Sequence, residues 1–187
     1  MRDFIFKPRL EANGHPDRTL LKKELAAVLG DRMVDGRTKY LFSREPLLPQ
    51  SFEWFRVRVS DGVEAASMRE VPLEGCEQDE CVTLCAWVAM NNKTFRGKEP
   101  LNVAGERHLR WIAEHKFSPL MDIMDIDIGN IGVMSAVSKG MKLTRAYGHL
   151  SVHGTVKDAA GLSELMKLGV GESKAYGFGL VVRQPAN

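Results

Sequence analysis

Apolar and polar positions along this chain alternate with two periods, and the switches between them mark its elements. Phe4 to Leu10 sets Phe4, Phe6 and Pro8 against Lys7 and Arg9, which predicts a first strand. The turn-rich loop ANGHPD follows. Asp17 or Thr19 can then cap a helix running to about Leu29, with Leu20, Leu21, Leu25, Val28 and Leu29 as its apolar stripe. Gly30 stops it, and Asp35-Gly36 is a turn. KYLFS, Lys39 to Ser43, predicts a second strand. After the Pro-rich link EPLLPQS, Phe52 to Val59 predicts a third. In that third strand Arg56 and Arg58 share one face, and Phe55, Val57 and Val59 share the other. The arginine face is open to two readings: it lines a surface toward a ligand, or it meets water.

Gly62 to Val71 reads as a short helix and Val82 to Met90 as a strand. Asn92 to Lys98 is a basic loop, and Glu106 to His115 is helical through Leu109, Ile112 and Ala113. Met124 to Val137 has strand character, SKGMKLTR (Ser138 to Arg145) is a basic turn, and Tyr147 to Val156 is a strand. An amphipathic helix to Leu168 and a strand from Tyr176 to Val182 close the chain. The first half has the β-α-β-β-α-β order of ferredoxin-like and RNA-recognition folds, and the second half fits the same order. The expected class is α+β with tandem ferredoxin-like units, residues 1–90 and 91–187, the second carrying a glycine-rich loop.

Composition narrows the partners. With 187 residues the chain suits one ordinary domain or two small ones. Net charge is only +2, so a polyanion site must come from local clustering. No apolar run reaches the length of a membrane span, the charged N-terminus is unlike a secretory signal, and three cysteines make no disulfide framework, so a cytoplasmic protein is expected. The spacing of Cys76, Cys81 and Cys85 departs from CxxC zinc pairs. Asp122, Asp125 and Asp127 come with no phosphoryl-transfer motif, and on a regular strand only Asp125 and Asp127 share a face. Neither a metal nor a cofactor is expected.

The most informative stretch is LGVGESKAYGFGLVV, Leu168 to Val182. Its order is helix, glycine loop, strand, the reverse of Rossmann and P-loop phosphate sites. Gly169 and Gly171 can take positive φ and end the helix, while Gly177 and Gly179 alternate with Tyr176, Phe178 and Leu180. A strand bare on one face admits another backbone or a phosphate; the alternative is a helix cap followed by a hairpin-like strand. Lys174 lies inside the loop. Lys93, Arg96 and Lys98 surround Phe95, a mixture suited to phosphates plus one stacked base. Lys139, Lys142 and Arg145 form a second basic cluster, which either lines RNA or is a solvated turn.

The pattern G-x-G-x-x-K-x-x-G-x-G after a short helix resembles the glycine-rich loop of CRISPR repeat-processing endoribonucleases, with the Cascade (CasE/Cse3-like) family as the nearest subtype. KYLFSRE, NNKTFRGKEP and YGHLSV extend the likeness. Asn92 stands where that family has proline, and Glu172 is an acid in a loop that is neutral or basic in many relatives. The resemblance implies a metal-independent endoribonuclease. It would bind a repeat stem-loop, let the ribose 2′-OH attack its own phosphate to leave a 2′,3′-cyclic phosphate, and stay in an effector complex with other Cas subunits. It also implies a histidine on the first helix with a tyrosine nearby. Here that helix has none; Lys22 or Lys23 falls at the position, His15 lies in the loop before it, and Tyr40 is the candidate tyrosine. Histidine suits proton transfer near neutral pH, and lysine suits a crowded phosphate. Two alternatives stay open: a repeat-hairpin binding subunit without cleavage, and an unrelated RNA-recognition protein.

Overall fold

The structure is a computed structural model that describes residues 1–8, 18–30, 33–34, 37–38, 40–50, 53–60, 68–90, 99–138, 141–174 and 177–185; for 18–20, 22, 33–34, 37–38, 135–138 and 141–143 it describes the backbone alone. Strand β1 (Arg2–Phe6) leads to helix α1 (Arg18–Leu29), the two-residue strands β2 (Met33–Val34) and β3 (Arg37–Thr38), then β4 (Tyr40–Arg44), β5 (Phe55–Val59) and β6 (Arg69–Val71). The second series is β7 (Cys81–Met90), α2 (Leu101–Lys116), β8 (Met121–Ser138), β9 (Met141–Val156), α3 (Ala159–Leu168) and β10 (Val181–Arg183). The sheets run β4-β5-β1-β6 and β10-β7-β9-β8, antiparallel throughout, with β2 and β3 paired apart. In each large sheet the first strand lies between the third and the last, as in tandem ferredoxin-like units. The chain is therefore α+β.

Two sequence expectations change. The strand at 81–90, read as closing the first unit, hydrogen-bonds to β9 and β10 and opens the second sheet. The segment read as a helix from 62 to 71 ends in the short edge strand β6, and 61–67 lies outside the described residues. Periodicity identifies a strand but not its partner, and a three-residue exposed edge carries no period to read.

Helix α1 covers one face of the first sheet. Leu21, Leu25 and Leu29 pack on Phe4, Tyr40, Phe42, Phe55, Val57 and Val59. Helices α2 and α3 cover the second sheet through Leu109, Ile112, Leu162 and Met166 against Val82, Leu84, Val88, Leu150 and Val152. The other face of the first sheet is covered too. Leu41 and Leu47 meet Leu180 and Val182 from the end of the chain.

That covered face holds Arg56 and Arg58, which neither reach a ligand nor meet water. Arg58 is 2% exposed and grips Asp3 with Nε and NH2, at 2.7 and 2.8 Å. Its NH1 donates to the carbonyls of Met166 and Val181, both at 2.8 Å. Arg56 joins Asp3 at 3.2 Å and Glu45 at 2.8 Å. The alternation in FRVRV is real, but both faces are buried. Buried charge is tolerated here because each guanidinium meets a carboxylate or a carbonyl.

Candidate nucleic-acid interface

Helix α3 begins at Asp158, whose side chain accepts the Gly161 N–H, and ends at Gly169, whose N–H donates to Leu165 O at 2.7 Å. A closed loop follows. At its neck Val170 N–H donates to Gly179 O at 2.8 Å, and Gly179 N–H donates to Trp87 O of β7 at 2.7 Å. A Cβ added to Gly169 would sit 2.5 Å from Gly179 O, and one on Gly179 would fall on Val170 O. These glycines let two stretches of backbone touch. Gly171 and Gly177 also take positive φ. The N–H groups of Gly169, Gly177 and Gly179 each donate to a protein carbonyl rather than facing outward. Residues 177–180 are not a strand: φ of 80° at Gly177 and 82° at Gly179 excludes it, although Gly-Phe-Gly-Leu imitates a two-residue period.

The loop tip points toward β9. Glu172 bridges to Ala89 of β7, Ser173 has φ 60°, and Lys174 Nζ donates to Leu168 O at 2.7 Å. Arg145 Nε donates to Ser173 Oγ at 3.3 Å, and its NH1 donates to Thr144 O at 3.1 Å. Arg145 stands opposite Met134 in the long β8–β9 hairpin. The hairpin and the glycine loop, separate motifs in the sequence, therefore meet at one point. Under the loop, Phe178 stacks on Tyr147 at 6.0 Å, and Tyr147 meets Trp87 edge-on at 5.7 Å. The Arg44 guanidinium lies 5.5 Å from the Tyr147 ring and 5.8 Å from Trp87.

Two further ties brace this ground. Arg58 holds one carbonyl on each side of the loop, Met166 in α3 and Val181 in β10. His149 donates Nε2–H to Pro46 O at 2.8 Å, joining β9 to the turn after β4. Burial pulls the His149 pKa down, against the opposing effects of that hydrogen bond and of Asp127, so its imidazole is neutral at pH 7. His108 on α2 is likewise pulled down by burial, with Glu172 of the loop opposing.

The other expected site residues fall in several places. His15, Lys93, Phe95, Arg96, Lys98 and Lys139 lie outside the described residues. Lys23 is exposed on α1; Lys22 is on the same helix, described by backbone alone. Cα atoms of α1 and β8 come within 8 Å, so part of this helix approaches the first strand of the hairpin. Lys142 and Arg145 belong to β9 and not to a turn, because β9 begins at Met141. Tyr40 is 4% exposed and packs in the first core, as a strand aromatic does. Ser173, Tyr147 and Arg44 also lie at or beneath this loop, a placement that sequence reasoning misses. Ser173 has one signal, its place between Gly171 and Lys174.

A bulge at Met124 puts Asp122 in register with Thr155, so it joins Asp125 and Asp127 on one face. Among the described residues no group of three or more His, Cys, Asp or Glu is placed to hold a metal ion. No helix among them is long and apolar enough to cross a membrane.

No family sequence model matches the chain, and no curated protein matches it by sequence. Solved structures do match. CRISPR endoribonuclease Cse3 bound to a 19-nucleotide RNA superposes with TM-score 0.70 over 99% of this chain and 100% of that one, at 13% identity. The chain has the Cse3/Cas6e fold. Cas6e of Escherichia coli K-12 gives TM-score 0.65 at 15% identity, covering both chains fully. A chain of a CRISPR RNA-guided surveillance complex gives 0.66 at 13% identity over 98% of each. Coverage from end to end means that both units and the connection between them share the Cse3/Cas6e arrangement.

Proposed function

We propose that this chain is a divergent CRISPR RNA-processing endoribonuclease of the Cse3/Cas6e kind, which binds a repeat stem-loop and keeps the product as a subunit of an effector complex. The observation that carries the reading is the meeting of Arg145 with the loop tip at Ser173, between Gly171 and Lys174, in a fold shared with an RNA-bound Cse3. Arg145 and Lys174, with Lys142 of the same strand as Arg145 and Lys139 before it in the sequence, contact phosphates of the stem. Lys93, Phe95, Arg96 and Lys98 supply a second basic segment with a stacking ring. The glycines hold the loop's shape, so that Ser173 and Lys174 are presented at its tip.

Cleavage needs no metal in this reading. The ribose 2′-OH attacks the adjacent phosphate, the 5′-oxygen leaves, and a 2′,3′-cyclic phosphate remains. His15 is the proposed proton carrier, and Lys22 or Lys23 of α1 stabilises the phosphate charge. A binding subunit without cleavage is the second reading, favoured by an α1 sequence, RTLLKKELAAVL, that holds no histidine. Incubating the protein with its repeat RNA in EDTA separates them. Cleavage of the all-ribose RNA, and none of RNA with a single 2′-deoxy at the cut site, supports the enzyme. Tight binding of intact RNA supports the second reading. Replacing His15 with Ala at unchanged single-turnover rate would remove it from the mechanism.

A further inference from the structure

The face of the second sheet turned away from α2 and α3 carries a side-chain arrangement that RNA processing does not use. Register along β7 and β9 sets Thr83 opposite His153 and Cys81 opposite Thr155. Cys81 Sγ lies 3.5 Å from His153 Nε2, and Thr83 Oγ1 lies 3.0 Å from the same ring's Nδ1. When the threonine oxygen accepts from Nδ1–H, the lone pair of Nε2 faces the thiol. That is a nucleophile, a base and a group orienting the base, all on two paired strands. Cys81 is exposed to solvent, so a reagent can reach it.

We propose that Cys81 is a modification site, a thiol activated by His153 that reacts with small hydroperoxides. His153 Nε2 takes the S–H proton as sulfur attacks one peroxide oxygen. The O–O bond breaks, an S–O bond forms, and the departing oxygen leaves protonated as water or an alcohol. Cys–SH and ROOH thus give Cys–SOH and ROH, with sulfur oxidised by two electrons and the peroxide reduced by two. The other two cysteines lack this arrangement. Burial pushes the Cys85 thiol up, and it pushes the Cys76 thiol up despite Arg183 beside it. Cys85 lies four residues along an extended strand from Cys81, roughly 13 Å away, too far for the sulfenic acid to close a disulfide with it.

The test measures alkylation by iodoacetamide at each cysteine, by peptide mass spectrometry, on the full chain at pH 7. Exposure alone makes Cys81 at best as fast as in the urea-unfolded chain; activation makes native Cys81 about tenfold faster than that. His153→Gln and His153→Phe are each expected to remove this excess, and Thr83→Val to reduce it. Hydrogen peroxide with dimedone is expected to label Cys81 ahead of Cys76 and Cys85. A native Cys81 no faster than the unfolded one, or a His153→Gln protein within twofold of wild type, would overturn the proposal.

Discussion

Replacing Arg58 with Met tests how the first unit holds the glycine loop of the second. The guanidinium makes two bonds to Asp3, which is 0% exposed, and two more to the carbonyls of Met166 and Val181. Met keeps most of the stem's volume and removes all four. Asp3 then retains its bond to Arg56 NH1 at 3.2 Å. Breaking a buried ion pair from one side costs about 3–5 kcal/mol, because the remaining charge stays out of water. The two carbonyls add about 1–3 kcal/mol each if nothing replaces the donor, though one relaxation can relieve both. A loss of at least about 4 kcal/mol is expected, close to the whole stability of a marginal domain. Arg58→Lys should fall between wild type and Arg58→Met, since one ammonium cannot serve a carboxylate and two carbonyls at once. The assay is urea unfolding of Arg58→Met, Asp3→Asn and the double variant. The double variant should lose clearly less than the sum of the singles, because each single leaves its partner stranded. A loss below about 1 kcal/mol for Arg58→Met, or strict additivity, would refute the assignment of Arg58 and Asp3 as a buried, mutually dependent pair.

Gly179→Ala should lose at least about 2 kcal/mol and bind RNA poorly, since it forces a side chain into positive φ and onto the Val170 carbonyl; urea unfolding with normal stability would count against the loop geometry. Arg145→Ala should weaken RNA binding across sequences and lower the slope of log K against log salt by about one unit, read by filter binding at several salt concentrations. His149 and His108 both have pKa values lowered by burial, so between those values and about 6.5 the unfolded chain binds protons that the folded chain does not. Stability should therefore fall as pH drops below that point, and His149→Gln, which keeps a donor for Pro46 O, should shrink the fall; an unchanged pH profile in chemical denaturation would contradict it.

Periodicity makes most elements readable. The stripe of α1, the alternation of β5, the run at 81–90 and the amphipathic α3 all stand where the side chains suggest. What alternation cannot express is which face a neighbour will cover. FRVRV looks half-exposed, and only the approach of α3 and β10 shows that Arg56 and Arg58 are buried. It also cannot express partner choice, which is why 81–90 reads as part of the wrong sheet. Backbone irregularity is hidden for the same reason. The bulge at Met124 adds one residue and turns Asp122 onto the face of Asp125 and Asp127. The glycine loop is legible as a site because its composition is unusual, but its geometry is not. Gly-Phe-Gly-Leu reads as a strand unless the positive φ values are known. That Arg145 meets Ser173, 28 positions further along, is a tertiary fact with no local trace.

The most direct test of the account is the affinity of the purified chain for its own CRISPR repeat hairpin against a shuffled hairpin of equal length and stem stability, at one physiological salt concentration. Selective processing requires the repeat to bind at least about tenfold more tightly, a difference of about 1.4 kcal/mol, and the selectivity to fall when Arg145 and Lys174 are replaced together. Equal affinity for the two hairpins, unchanged in that double variant, would contradict it.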